Sequence, residues 1–141
     1  MVHFINADLI AAGLSPLKPE LAAVAAGRLV LSELERLVAQ RVDFAFESTL
    51  SGLGYVRHLE AWKAIGYRIE MVFLRLDSVD VAIRRVADRV MQGGHHVPDR
   101  DVIRRLPRSY ANFEARYKLS ADHWELYDST QRPPRLLEFG P

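Results

Sequence analysis

Residues 68–78 read RIEMVFLRLDS, an apolar run followed at once by a helix-start signal. Branched, aromatic and other apolar side chains dominate residues 68–76, which is typical of a buried β-strand. Asp77 and Ser78 favour a helix start because their side-chain oxygens can accept the unpaired N–H groups of the first turn. The residues that follow carry an apolar stripe at helical spacing: Val79, Ala82, Ile83, Val86 and Val90. The segment therefore predicts a strand and then a helix that ends at Gly93-Gly94.

Strands and helices alternate on both sides of this segment. The further predicted strands are residues 3–5, 44–46, 124–127 and 136–139, and the further predicted helices are residues 21–38, 55–65 and 98–119. Pro107 is expected to interrupt or kink the last of these helices. Such alternation implies crossover connections and an α/β fold, with a mainly parallel sheet flanked by helices. We expect a single domain over residues 1–141.

Net charge, cysteine content and the lengths of the apolar runs restrict the kinds of function that the sequence can have. The chain has 141 residues, a formal net charge of +1 and no cysteine. The small net charge argues against a nucleic-acid-binding protein, and the missing cysteines exclude disulfides and thiolate metal sites. We see no apolar run of the roughly 20 residues that a membrane span requires, and no signal-peptide pattern. The sequence is therefore expected to act in the cytoplasm, without nucleic acid or membrane as a partner.

Polar residues follow the first two predicted strands directly. Asp8 comes just after strand 3–5, and Glu47 and Thr49 come just after strand 44–46. Ligands of parallel sheets bind at the carboxyl ends of the strands, so these side chains are expected to face one crevice. Asp8 could accept the proton of a substrate hydroxyl, or it could cap the short helical turn that follows. Glu47 and Thr49 could bind a hydroxyl-bearing substrate, or residues 48–49 could cap the next helix while Glu47 meets solvent.

Arginines form the third candidate group. Arg85 and Arg89 are four residues apart and lie on one helix face, away from the apolar stripe. Arg104 and Arg105 follow the loop GGHHVP at residues 93–98. Guanidinium groups suit phosphate oxygens, but arginines are also ordinary on solvated helix surfaces. The pair His95-His96 lacks the ligand spacing of a metal site, so no metal ligands are predicted.

Together these segments resemble the zeta-toxin and UDP-N-acetylglucosamine kinase family of P-loop kinases. The matching stretches are FINADLIA (4–11), GLSP (13–16), AGR (26–28), FAFESTLSG (44–52), GYR (66–68), RVADRVMQGGHHVP (85–98), RR (104–105), YD (127–128) and PRL (134–136). They cover nearly the whole chain in the family's order.

The resemblance implies a role for each candidate residue. Asp8 corresponds to the base that activates the substrate hydroxyl, and Glu47 and Thr49 correspond to substrate-binding residues. The arginines that correspond to nucleotide-phosphate ligands are Arg85, Arg89 and Arg105. Family members transfer the γ-phosphate of ATP, with Mg²⁺, to a nucleotide sugar. Some act as toxins restrained by an antitoxin, which the resemblance therefore implies as a possible partner.

The sequence departs from the family in one large respect. The family pattern places a strand, a Gly-x-x-x-x-Gly-Lys-Ser/Thr loop and a helix before the segment that matches residues 4–11, and no Gly-Lys pair occurs in this sequence. The chain therefore corresponds to a zeta-toxin-like kinase domain truncated at its N-terminus. Without the phosphate-binding loop, we expect weak or absent ATP-dependent transfer by this chain alone. The alternative function is a non-catalytic remnant that binds a nucleotide sugar or a partner protein. A missing strand would also leave a sheet edge open to self-association.

Overall fold

The computed structural model describes residues 2–94 and 96–141. The strands in this part of the chain are β1 (His3–Ile5), β2 (Phe44–Phe46), β3 (Glu70–Arg75), β4 (His123–Asp128) and β5 (Arg135–Gly140). The helices are α1 (Ala7–Leu14), α2 (Ala23–Ala39), α3 (Gly54–Ala64), α4 (Val79–Met91), α5 (Asp99–Asn112) and α6 (Lys118–Ser120). A 3-10 turn at Pro19–Ala22 leads into α2, and a π-helical turn at Phe113–Tyr117 joins α5 to α6. The predicted mixture of helices and strands is confirmed.

The chain divides into two compact units, each with its own sheet. Unit 1 comprises Met1–Ser48 and Arg89–His96, and unit 2 comprises Thr49–Asp88 and Val97–Pro141. In unit 1, β1 and β2 pair in parallel. In unit 2, β3 pairs in parallel with β4, and β4 pairs with β5 in antiparallel fashion. Parallel pairing is therefore present in both sheets, and β5 departs from it.

Unit 1 places the carboxyl ends of its two strands at one edge. The register sets His3 beside Phe44 and Ile5 beside Phe46, so the chain leaves both strands at the same end. Next to this sheet, small residues allow α1 and the start of α2 to approach closely, and Ala11, Ala22 and Ala26 form a shared core. This packing of α1 against the start of α2 holds α1 in place, and α1 follows directly after the carboxyl end of β1.

Helix α2 is amphipathic. Its buried side carries Ala26, Val30, Leu34 and Leu37, which recur at three- and four-residue spacing.

No single helix of residues 2–94 and 96–141 has the length and apolar character needed to cross a membrane. Helix α1 and residues 19–39 meet that criterion only when counted together, and a bend of 106° separates them.

An aromatic cluster forms the core of unit 2. The ring of Phe113 stacks on Phe73 at a centroid distance of 4.5 Å and meets Trp124 edge-on at 6.0 Å. Phe113 and Tyr117 are fully buried because the π-helical turn directs both toward the sheet. The Tyr117 hydroxyl donates to the Gly52 carbonyl at 2.7 Å, which ties the loop before α3 to this core.

Helix α5 runs through Pro107 without a break, so an interruption is wrong, and the alternative of a kink stays a prediction. A proline inside a helix removes one backbone donor, which normally favours a kink. Here Val102 and Ser109 are buried on either side of the proline, and the Ser109 hydroxyl donates to the Arg105 carbonyl at 2.8 Å. Residues buried on both sides of Pro107 therefore accompany a continuous helix, and the irregular turn comes later, at Phe113–Tyr117.

Helices cover one face of the β3–β4–β5 sheet and leave apolar residues exposed on the other. Met71 and Phe73 point toward the aromatic cluster and are half-buried, whereas the alternate residues Val72 and Leu74 are 62% and 57% exposed. Strands of a parallel sheet are ordinarily covered on both faces, and the apolar run 68–76 indicated the same. The exposed face is therefore a surface that the sequence pattern did not predict.

Asp122 links the start of β4 to β3 and makes the stability of unit 2 depend on pH. Its carboxylate accepts the backbone N–H of Ile69 at 2.7 Å and pairs with Lys63 at 3.3 Å. The Ile69 hydrogen bond, and then Lys63, lower the pKa of Asp122 below its ordinary value of 3.8. A lowered folded-state pKa contributes stability above the ordinary value, and this contribution is lost as the pH falls through the folded pKa.

We therefore expect Asp122→Asn to flatten the acid side of the stability profile. The urea midpoint of the wild type should fall as the pH drops below 3.8, and the variant should lose less over the same interval. Glu60→Gln, which removes an exposed carboxylate on α3, is the matched control. Parallel profiles for the wild type and Asp122→Asn would contradict this assignment.

Candidate functional site

Asn6 and Glu47 join the two strand ends of unit 1. The Asn6 side-chain amide donates to Glu47 Oε2 at 3.1 Å, across the carboxyl ends of β1 and β2. Parallel pairing continues up to this point, where the Glu47 N–H donates to the Ile5 carbonyl at 3.4 Å. Glu47 is exposed, and its Oε1 atom remains available as an acceptor. The two strand ends therefore present a carboxylate whose position is held by an amide.

Asn6, rather than Asp8, caps α1. The Asn6 Oδ1 atom accepts the N–H groups of Asp8 and Leu9 at 2.9 and 3.1 Å. Sequence reasoning did not single out Asn6, although asparagine before an apolar helix is a recognised capping signal. The alternative in which Asp8 caps the helix is therefore wrong. Asp8 lies in the first turn of α1 with its side chain exposed, and its carboxylate has no partner within residues 2–94 and 96–141.

Thr49 lies just past the strand end and belongs to unit 2. Its hydroxyl is 3.0 Å from the Ser51 hydroxyl and 3.4 Å from the Ser51 N–H. These contacts form a local turn. Helix α3 begins at Gly54 after Leu53, and no side chain caps it, so the alternative in which residues 48–49 cap this helix is wrong. The substrate-binding role of Thr49 stays a prediction.

Arg85 is held by the segment that follows β4. Its guanidinium donates from Nη1 to the Ser129 hydroxyl at 3.1 Å and from Nη2 to the Thr130 carbonyl at 3.0 Å. Ser129 is buried, and Thr130 also accepts the Asp77 N–H through its hydroxyl at 3.1 Å. Arg85 thus connects α4 with the chain after β4. These bonds occupy two of its five donors, and the others remain available.

Arg89 and Arg105 have side chains that no described residue binds. Arg89 lies near the end of α4, in unit 1, and is exposed, whereas Arg105 lies on α5, in unit 2, and is half-buried. The Arg89 carbonyl accepts the Gly94 N–H, and a Cβ at Gly94 would lie 2.8 Å from that oxygen. Glycine is therefore required where the chain turns back after α4. The phosphate-binding roles of both arginines stay predictions.

Replacement of Arg85 tests whether this residue supports the fold. We expect Arg85→Met to lower the free energy of unfolding by about 1–3 kcal/mol, because it removes two hydrogen bonds of a charged donor at a partly buried site. Arg84→Met removes an exposed arginine from the same helix and should have little effect. Urea denaturation followed by circular dichroism measures both. Equal stability of the two variants would show that Arg85 has no structural role.

The residues at a helix N-terminus determine whether a phosphate group could bind there. Backbone N–H groups at a helix start attract anions, and carboxylates in the first turn oppose this. Helix α1 carries Asp8 there, and its cap already occupies two N–H groups. Helix α4 carries Asp80, and α5 carries Asp99 and Asp101. These three helix starts are poorly suited to the phosphates of ATP–Mg²⁺.

Two other features could indicate a ligand. Among residues 2–94 and 96–141, no group of three or more His, Cys, Asp or Glu side chains is placed to hold a metal ion. A shallow pocket of about 260 Å³ lies in unit 2, and none of the predicted site residues lines it. Its lining residues are Val56, Glu60, Lys63, Arg116, Leu119 and Ser120. Lys63 pairs with Asp122, and Arg116 is the other cation among the lining residues.

The chain is similar to a bacterial protein whose function is not given. An uncharacterized protein of Haemophilus influenzae is 29% identical over 100 residues, which cover 71% of this chain and 71% of the relative. No family model matches the chain. No solved structure matches it either.

Proposed function

We propose that this chain is a cytoplasmic, zeta-toxin-like domain that binds a nucleotide sugar at the carboxyl ends of β1 and β2. In this proposal the fold is related to that of P-loop kinases, and these residues correspond to the part of the fold that follows the phosphate loop. The single observation that carries the binding proposal is the Asn6–Glu47 hydrogen bond, which places a fixed carboxylate beside the start of α1. The family itself is proposed from the sequence resemblance.

The chemistry of this edge suits sugar hydroxyl groups. Glu47 has a free Oε1 atom, and the Asp8 carboxylate has no partner within the described residues. Carboxylates accept hydrogen bonds from hydroxyl donors, and such charge-assisted bonds are stronger than neutral ones. Asp8 is proposed as the group that accepts the proton of the reacting hydroxyl in a chain that also carries a phosphate loop. An antitoxin remains a proposed partner on the resemblance alone.

We propose that these 141 residues lack a complete site for ATP and Mg²⁺, and we derive no transfer step through them. The sequence has no Gly-Lys pair, and acidic residues in the first turns of α1, α4 and α5 oppose phosphate binding at those three helix starts, whereas α2 and α3 have no acidic residue there. Arg85 already binds Ser129 and Thr130. We therefore propose sugar binding without phosphoryl transfer for these 141 residues.

Isothermal titration separates these alternatives. We expect saturable heat on titration with UDP-N-acetylglucosamine and none with ATP–Mg²⁺, and no phosphorylated sugar when both are supplied. Tight ATP binding with product formation would show that the chain is a complete kinase. Absence of any sugar binding by the folded protein would refute the proposed function.

A further inference from the structure

The uncovered side of the unit 2 sheet has a defined arrangement of side chains. The cross-strand register aligns Val72, Glu125 and Phe139 in one row, because Val72 pairs with Glu125 and Glu125 with Phe139. It aligns Leu74, Tyr127 and Leu136 in the next row. We call these six residues the open sheet face. Val72 and Phe139 are 62% and 68% exposed, and Leu74 and Leu136 are also exposed. The face therefore places one carboxylate between two exposed apolar side chains.

Glu125 is fixed as an anion on this face. Its Oε2 atom accepts the Tyr127 hydroxyl at 2.7 Å, and its Oε1 atom lies 3.4 Å from His123 Nε2. The Tyr127 hydrogen bond, followed by His123, lowers the pKa of Glu125. A carboxylate offers about four acceptor sites, so about two remain for a further donor. A complementary surface would need apolar side chains and one cation about one helical turn away.

The chain itself carries such a surface in unit 1. Val24 and Arg28 are four residues apart on the side of α2 opposite Ala26 and Val30, and Leu21 comes three residues before Val24, in the 3-10 turn that leads into the helix. Leu21 and Val24 are 75% and 71% exposed, and Arg28 is exposed. We call these three residues the α2 stripe. It is apolar at its start and cationic one turn later.

The spacings of the two surfaces agree. Side chains one helical turn apart on one face are separated by roughly 5–6 Å. Successive rows on one face of a sheet are two residues apart, which is about 6.7 Å along the strand. With Arg28 at the row of Glu125, Val24 reaches the row of Leu74 and Leu136. Val24 then meets the exposed Leu74 and Leu136, and the arginine fork meets the carboxylate that lies between Val72 and Phe139.

We propose that the open sheet face of one copy of this protein receives the α2 stripe of a second copy. The contact joins two different surfaces, so a two-fold dimer would form it twice, and repetition without closure would give longer assemblies. Burial of Val24, Leu74 and Leu136 provides the main driving force, and the Arg28–Glu125 pair fixes the register. The proposal does not depend on the ligand of unit 1.

Sedimentation equilibrium of the full chain over a wide concentration range tests this association. We expect the average mass to rise above 16.0 kDa as concentration increases. Arg28→Glu should weaken association by about tenfold or more, and Glu125→Arg should do the same. The double variant restores opposite charges and should recover association. Arg57→Glu, which reverses an exposed arginine on α3, is the matched control and should leave association unchanged.

A monomer at all concentrations would overturn the proposal. So would equal losses in Arg28→Glu and Arg57→Glu, or a folded double variant that associates no better than the single variants. Circular dichroism checks the fold of each variant. If Glu125→Arg disturbs the sheet, the comparison of Arg28→Glu with Arg57→Glu still tests whether the α2 stripe mediates association, because both of these substitutions lie outside the sheet.

Discussion

Glu47→Ala is expected to weaken binding of UDP-N-acetylglucosamine by about tenfold to a hundredfold. Hydrogen bonds that involve a charged group contribute about 1.5–3 kcal/mol, and the substitution removes the carboxylate that Asn6 holds at the strand ends. The Asn6 amide can turn to solvent, so the fold should be retained. Isothermal titration of the wild type and the variant measures the change.

Asp43→Ala provides the control for Glu47→Ala. Asp43 is also an exposed carboxylate beside β2, but it precedes Phe44 and therefore lies at the amino end of the strand. Its removal should leave the affinity within experimental error. An equal loss in both variants would indicate a general charge effect, and an unchanged affinity in Glu47→Ala would exclude Glu47 from the site.

Phe113→Ala is expected to lower the free energy of unfolding of unit 2 by about 3–5 kcal/mol. Phe113 is fully buried and contacts Phe73 and Trp124, so its truncation removes apolar burial and leaves a cavity. The exposed Leu119, at 79%, lies in the next helical turn, and Leu119→Ala should change stability by no more than about 0.5 kcal/mol. Urea denaturation followed by tryptophan fluorescence, to which Trp62 and Trp124 both contribute, measures the change. A change below about 1 kcal/mol for Phe113→Ala would contradict the assigned core.

The sequence predicted the strands well because each combines an apolar run with an abrupt polar end. Residues 44–46 match β2, and the run 68–76 contains β3. The ends of β1 and β2 were recognisable as a candidate site for the same reason. Their hydrogen bond was not, because Asn6 and Glu47 are 41 residues apart and only the parallel register brings them together.

Three features of the structure depend on contacts that the local pattern does not contain. The spacing of Arg85 and Arg89 indicated a shared helix face, but Ser129 and Thr130 bind Arg85 from the chain after β4. Pro107 favoured a break that burial on both sides prevents. Val72 and Leu74 are as apolar as their neighbours, so no alternation revealed that one face of the sheet is exposed.

The side-chain amide of Asn6 is a direct reporter of the proposed binding edge. In ¹H–¹⁵N spectra of the protein, this amide should shift when UDP-N-acetylglucosamine is added, because the ligand hydroxyl groups compete for the Glu47 carboxylate that it bonds. The backbone amide of Asp8, which bonds to Asn6 Oδ1, should shift with it. Shifts confined to residues elsewhere, or no shift in a large excess of ligand, would contradict the account.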